Sequence, residues 1–237
     1  MTPVIAIRPQ PGCDATVAAA GARDLVVHGF PLFVVRAMPW QPPEAGSFDA
    51  LLIGSANAFR HGGASLSACL GKPVYAVGRA TAEAARTAGF EVAATGNGGL
   101  QTMLADLRPE HRRLLRLSGE VRVDLSPPPG VGIVEWLVYA SEPQPMPAAL
   151  VEQLRKPAVV LLHSGEAARH FAWLCDRQGI DRSHIALAAI GQRVAAAAGE
   201  GWRAKAWSAA PDDAALLALA KELCQTAGSS QEPQDRG

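Results

Sequence analysis

The stretch KPVYAVGRATAEAARTAGF (72–90) holds one repeating structural unit in miniature. It opens on PVYAV (73–77), a continuous apolar run of strand length. A turn at Gly78 comes next, and then TAEAARTAG (81–89), whose alanines recur at helical spacing and which ends on Gly89 as a C-terminal cap. The same order of parts returns about 110 residues later in HIALAAIGQRVAAAAGEGW (184–202). A second pair, FDALLIGSANAFRHG (48–62) and PAVVLLHSGEAARHF (157–171), repeats at a similar offset. Outward from these, further apolar runs stand at VIAI (4–7), FPLFVV (30–35), LLRL (114–117) and VEWLVYA (134–140). Helical spacing recurs in EAARHFAWLCDRQG (166–179), and Gly179 and Gly199 stand as helix ends. Short apolar runs alternating with helices are the pattern of parallel strands covered on both faces. The expectation is an α/β fold with mainly parallel sheets, built as two similar units.

Two Pro-rich stretches, RAMPWQPPEAG (36–46) and SEPQPMP (141–147), flank the middle of the chain. Proline removes a donor and fixes φ, so both read as extended crossings between domains. The expected domains are 1–35 with 143–237, and 36–142. The polar tail from about residue 227 is expected to be disordered.

Composition excludes several classes of function. Lys+Arg and Asp+Glu are 22 each among 237 residues, which leaves no basic footprint for nucleic acid or anionic lipid. MTPVIAIRPQPG does not read as a signal peptide, and no run of about 18 apolar residues predicts a membrane span, so a cytoplasmic protein is expected. Cys13, Cys69, Cys175 and Cys224 are far apart and read as reduced thiols. The histidines form neither H-E-x-x-H nor H-x-x-x-H, so no metal is expected.

The chemistry is expected at strand-to-helix turns: GSAN (54–57), VGRAT (77–81), HSGE (163–166), IGQR (190–193) and, as a fifth, LSGE (117–120). A helix N-terminus there offers unpaired N–H groups and the positive end of a dipole to an anion. Each turn also has a plainer reading: Ser55, Ser118 and Ser164 as N-caps, Gly78 and Gly191 as tight turns. P-loop, G-x-G-x-x-G and G-x-S-x-G motifs are missing, so nucleotide binding and a hydrolase nucleophile are unsupported.

Taken in order, IRP (7–9), FDALLIGSANAF (48–59), KPVYAVGRATAEAARTAGF (72–90), GNGGLQTML (96–104), LLRLSGEVR (114–122), VEWLVYASEP (134–143), VVLLHSGEAARHF (159–171) and IALAAIGQRVAAAAGEGW (185–202) resemble the uroporphyrinogen-III synthase family over nearly the whole chain. The resemblance implies two flavodoxin-like three-layer α/β/α domains, the first discontinuous in sequence, joined by two extended connectors, with substrate held in the cleft between them. It implies a cofactor-free lyase that cyclises hydroxymethylbilane to uroporphyrinogen III in tetrapyrrole (haem) biosynthesis, with loss of water and inversion of ring D. A monomer is implied, and a transient contact with the preceding pathway enzyme fits a substrate whose unassisted closure gives isomer I.

By the same resemblance Tyr139 matches the family's tyrosine and is the catalytic candidate, a phenol able to protonate the departing hydroxyl. Its plainer reading is a strand tyrosine at a domain edge. Substrate carboxylates would be met by Arg8, Ser55, Ala56, Asn57, Gly78, Thr81, Ser118, Gly119, Ser164, Gly165 and Gly191; Arg8 reads equally well as one half of an ion pair. The chain departs from the family where Arg193 and Val194 replace the usual threonine, and in VDLSPPPGVGIVEW (123–136), where Arg122 is the one arginine left after LSGE. The alternatives are a non-catalytic tetrapyrrole- or polyanion-binding paralogue, a module for a phosphorylated ligand, and a scaffold.

Overall fold

The computed structural model describes residues 2–44 and 46–229. In chain order the elements are β1 (Val4–Ala6), α1 (Gly12–Gly21), β2 (Val27–Gly29), β3 (Phe33–Ala37), β4 (Ala50–Ile53), α2 (Asn57–His61), β5 (Val74–Val77), α3 (Arg79–Thr87), β6 (Val92–Gly96), α4 (Leu100–Met103), β7 (Arg113–Gly119) and β8 (Gly132–Pro143). They continue with α5 (Ala148–Leu154), β9 (Ala158–Leu162), α6 (Gly165–Arg177), β10 (Ile185–Ala189), α7 (Gln192–Ala197), β11 (Ala204–Trp207) and α8 (Asp213–Ser229). Among the described residues no helix is long and apolar enough to cross a membrane.

The chain divides into two compact units, residues 1–34 with 143–237, and 35–142. The first unit has one five-stranded sheet, β11-β10-β9-β1-β2, with every pair parallel. Alternation along its strands splits the core in two. Ile5, Val160, Leu162, Leu187 and Ala189 face Leu150 and Leu154 of α5 and Phe171 and Leu174 of α6. Val4, Ala6, Val159, Leu161 and Ala186 face Cys13 and Ala20 of α1 and Leu216 and Ala220 of α8. Along α6 the buried residues Ala168, Phe171, Ala172 and Cys175 keep the i, i+3, i+4, i+7 spacing of one helix face.

The second unit has the six-stranded sheet β3-β8-β7-β4-β5-β6, parallel from β8 to β6. Leu51, Ile53, Ala76, Leu115 and Leu117 face Phe59 of α2 and Ala82 and Ala85 of α3. Ala50, Leu52, Tyr75 and Leu114 face the thinner layer of Met103 and Leu104. Tyr75 is a core residue: its hydroxyl accepts from Arg108 N–H at 3.0 Å and bonds His111 Nδ1 at 2.8 Å.

Several details differ from the reading of the sequence. The chain leaves the first unit inside β3, just before RAMPWQPPEAG, and returns at the end of β8 within SEPQPMP, so the crossings are extended, and parts of both Pro-rich runs are strand. LSGE is not a strand-to-helix turn. Ser118 and Gly119 are the buried last residues of β7, and the chain reaches the parallel strand β8 through a loop with no helix. Pro127, Pro128 and Pro129 in that loop remove three donors that a crossover helix would need. Helix α8 continues to Ser229, past the start of the expected disordered tail, and residues 230–237 lie outside the described residues.

One polar cluster ties α1 to α8 in the first unit. The Asp213 carboxylate accepts from Arg8 Nη1 at 3.1 Å, Thr16 Oγ1 at 2.8 Å and His163 Nε2 at 3.1 Å. Arg8 lies flat over the start of α1, where a Cβ on Gly12 would stand 2.5 Å from its Nε. Burial pushes the Asp213 carboxyl up, but the bonds from His163 and Thr16 and the charge of Arg8 outweigh it and hold it at about 2. Burial lowers the His163 imidazole, so at neutral pH it is neutral and donates its Nε2–H.

Both groups have folded values below their unfolded ones, so both stabilise the fold at neutral pH and lose that contribution on acidification. Urea unfolding should show stability falling as pH drops below about 6.5, as His163 is forced to charge, and again between about 4 and 2 through Asp213. His163→Gln should flatten most of the first limb, leaving the smaller share of the less buried His61. Asp213→Asn should remove the cluster's part of the second and cost about 1–2 kcal/mol at pH 7, discounted for partial exposure. A variant profile parallel to that of the unaltered protein over both limbs would refute the assignment.

Candidate active site

The expected site residues fall into two sets, one on each unit, at or beyond the carboxyl ends of the parallel strands. In the first unit β9 runs into His163 and the Ser164–Gly165 turn that opens α6. Ser164 is a true N-cap, its Oγ accepting from Ala167 N–H at 3.1 Å. Gly165 is the first helical residue, with a Cβ there meeting Ala197 at 3.4 Å. Gly191 precedes α7 in extended backbone at φ −178°, so no left-handed geometry demands a glycine and the tight-turn reading is corrected. Arg193 is exposed at the start of α7, while Val194 packs against the core.

Arg8 stands in its ion pair with Asp213. That pair occupies Nη1 and leaves the Nη2 edge of a five-donor group uncommitted among the bonds of the cluster. His163 Nδ1 is buried and has no hydrogen-bond partner among the described residues. The sequence reading missed His163, Thr16 and Asp213. His163 was legible as a member of HSGE, but its partner Asp213 lies 50 residues further on.

In the second unit β4 runs into Ser55, whose Oγ accepts from Asn57 N–H at 3.2 Å; the N-cap position itself is Ala56, which is buried and offers backbone alone. Asn57 Oδ1 accepts from Arg60 at 3.3 Å within α2. Gly78 caps α3 at φ 80°, a left-handed value that does favour glycine. Thr81, three residues into α3, is buried.

The strands β7 and β8 bring the remaining candidates together. Tyr139 is opposite Gly119 in the ladder, just past a register shift at Ser118/Gly119. A Cβ on Gly119 would stand 2.5 Å from Cε2 of the Tyr139 ring, so the ring covers the bare glycine. Ser118 Oγ donates to Glu135 Oε1 at 2.9 Å, and is therefore neither a helix cap nor an open hydroxyl. Glu135 also receives Arg122 Nε at 2.7 Å and lies 3.0 Å from Arg116 Nε. Arg116 is almost wholly buried, and that burial lowers its guanidinium from its usual range. Glu135 is raised by burial but held below its usual range, on balance, by the Arg122, Ser118 and Arg116 partners. Arg122, singled out beside LSGE, is thus anchored to this triad.

His61 was not anticipated. It ends α2, is half-buried, and its ring centroid is 6.4 Å from that of Tyr139. Burial, with a smaller contribution from Arg60, lowers its imidazole from the ordinary value, so at neutral pH the ring is uncharged. Among the described residues no group of three or more His, Cys, Asp or Glu side chains is placed to hold a metal.

Comparison with known proteins identifies the family. The family model described as uroporphyrinogen-III synthase HemD matches residues 15–218. The fold is similar to a uroporphyrinogen-III synthetase from Helicobacter pylori, with TM-score 0.63 and 17% identity over 94% of this chain and 100% of that one. It is also similar to a mutant uroporphyrinogen III synthase from the extremely thermophilic bacterium Thermus thermophilus, with TM-score 0.53 and 16% identity over 95% of this chain and 100% of that one. No curated protein matches the chain by sequence. The two solved structures agree with the mixed α/β, mostly parallel architecture, and the family match spans the elements from α1 into α8, so the chain belongs to the uroporphyrinogen-III synthase family.

Proposed function

We propose that the chain is a working uroporphyrinogen-III synthase, a lyase that closes hydroxymethylbilane to uroporphyrinogen III with loss of water and inversion of ring D. The family's substrate is a small tetrapyrrole. The observation that carries the catalytic reading is Tyr139 held over Gly119 at the end of β7, in a chain of this family. A phenol there donates its proton to the terminal hydroxyl as the C–O bond breaks. The resulting azafulvene is attacked at the substituted position of the last pyrrole, and the spiro intermediate fragments and recloses with that ring inverted. The overall change is a dehydration and a rearrangement, with no change in oxidation state, so its electron balance calls for no redox cofactor.

The protein's larger task is to control shape against the unassisted closure to isomer I. Substrate carboxylates are assigned to backbone N–H groups at the N-terminus of α3, beside Gly78, and at that of α6, beside Gly165. Arg8, Ser55, Ala56, Asn57, Thr81, Ser118, Gly119, Ser164 and Gly191 remain in the proposed contact set; Ala56 offers backbone alone, and Ser118 is a backbone candidate because its hydroxyl is bonded to Glu135. A cytoplasmic monomer that receives its substrate from the preceding enzyme of the pathway fits this reading.

The test generates hydroxymethylbilane enzymatically, adds the protein, oxidises the products and separates isomers I and III. A dose-dependent excess of isomer III is the expected result, and isomer I alone from folded protein would end the catalytic reading. Tyr139→Phe should slow isomer III formation by about tenfold or more. Gly119→Val should cause a comparable loss with Tyr139 still present, because the added side chain occupies the place of the phenol ring. Full activity in Gly119→Val would show that the ring position is immaterial.

A further inference from the structure

The weak duplication places two histidines at corresponding points of the two units. Arg60–His61 follows ALLIGSANAF as Arg169–His170 follows VVLLHSGEAA. Their surroundings differ. His170 Nε2 bonds the Gln144 carbonyl at 2.8 Å, and its ring lies between Phe33, at 5.1 Å, and Trp173, at 5.7 Å. Its role is accounted for by that packing. His61 has no hydrogen bond on either ring nitrogen among the described residues. It has one ring neighbour, Tyr139, and it borders an open cavity of about 740 Å³ together with Trp40, Trp136, Met38, Pro39 and Ser65.

The turn that carries His61 is fixed. Trp40 Nε1–H donates to the Gly62 carbonyl at 2.7 Å, and a Cβ on Gly62 would meet the Ala58 carbonyl oxygen at 2.6 Å. An unengaged imidazole on a fixed turn, beside the proposed acid and at the edge of an aromatic-walled cavity, is placed to receive a proton from a ligand. The titratable and charged groups around it are Arg60 on its own helix and Tyr139 from β8. Glu83 of α3 lines a separate groove on the Arg60 side.

We propose that His61 is a second catalytic residue, the general base that works opposite Tyr139; this rests on the synthase reading above. Loss of water from the terminal hydroxymethyl pyrrole needs two proton movements. The C–O electron pair leaves with oxygen, which takes the Tyr139 proton and departs as water. The pyrrole N–H proton passes to His61, and its electron pair becomes the new double bonding of the azafulvene. When the final C–C bond forms, the azafulvene nitrogen recovers its proton from His61. The pyrrole α-carbon released from its C–H bond returns a proton to the Tyr139 phenolate. Water is the net loss, and both residues end as they began. The Trp40 and Trp136 walls suit a flat pyrrole ring held against the imidazole.

The experiment compares His61→Gln, Tyr139→Phe and the unaltered protein in the isomer III assay across pH, with thermal unfolding as the folding control. His61→Gln should lower kcat by about 10²-fold while KM stays within about threefold, since a base that acts in the transition state contributes little to ground-state binding. The unaltered protein's kcat should decline on acidification as the lowered His61 imidazole takes up a proton, and that decline should disappear in the variant. Added imidazole should restore isomer III formation to His61→Ala and not to Tyr139→Phe, an outcome that a packing role for His61 does not produce. Isomer III from the unaltered protein together with a kcat in folded His61→Gln within about threefold of it would overturn this inference and leave the synthase reading standing. So would failure of imidazole to act on folded His61→Ala. Absence of isomer III from the unaltered protein would overturn both.

Discussion

Strands such as β4, β9 and β10 are covered on both faces, with no residue of the three measurably exposed. A parallel strand in that position bonds its backbone to its neighbours and must bury apolar side chains in both directions. Helices are therefore needed on each face, and where a helix connects two parallel strands it starts beyond the carboxyl end of the first. Helices α3 and α6 start in this way after β5 and β9. The same geometry that satisfies the sheet collects orphan N–H groups along one edge of each unit. The proposed carboxylate contacts are a consequence of this covering rule, and so is their appearance in a chain with no net charge.

The rule also explains which parts of the fold were legible. Continuous apolar runs located the central strands, because full burial on both faces leaves a sequence no room for polar residues. β2, β6 and β11 escaped notice. Two of them, β2 and β11, are sheet edges in the first unit and β6 is an edge in the second, and each is short and partly exposed. An edge strand is half freed from the covering rule, so VAATG and AKAW carry a mixed pattern. LSGE was misread for a related reason. Its strand and small residues match the other turns, but the downstream segment decides the outcome, and there Pro127–Pro129 replace a helix with a loop.

The candidate site was legible residue by residue but not in its pairings. Tyr139 and Gly119 were each picked out alone. Their contact depends on the parallel register of β7 and β8 and on its shift at Ser118/Gly119, which no spacing in the sequence reveals. Arg8 was visible after β1, whereas its partner Asp213 is 205 positions away at the start of α8. Glu135 was not singled out in the sequence, and only the fold shows that it gathers Arg116, Arg122 and Ser118. His61 lies in the repeat that also carries His170, which by itself marks no chemistry; what distinguishes the two is the absence of hydrogen-bond partners for His61 among the described residues.

The paired arginines bear on how a neutral protein could hold a polyanion. Arg8 and Arg116 are committed to Asp213 and Glu135, so neither adds a free positive charge. Their pairing has another effect. Arg116 is shut in with Glu135, but for Arg8 a guanidinium already fixed by a carboxylate loses little conformational freedom when a second anion meets its remaining N–H groups, and the ordering cost of binding falls accordingly. Asp213 is itself held by Thr16 and His163, and Glu135 by Ser118 and Arg122, so each carboxylate is as constrained as the arginine it orients. In the synthase reading this matters more than raw attraction. Excess positive charge would bind many conformers of a flexible tetrapyrrole, including those that close to isomer I. Fixed dipoles and pre-oriented donors favour one conformer, which is the property that inversion of a single ring requires.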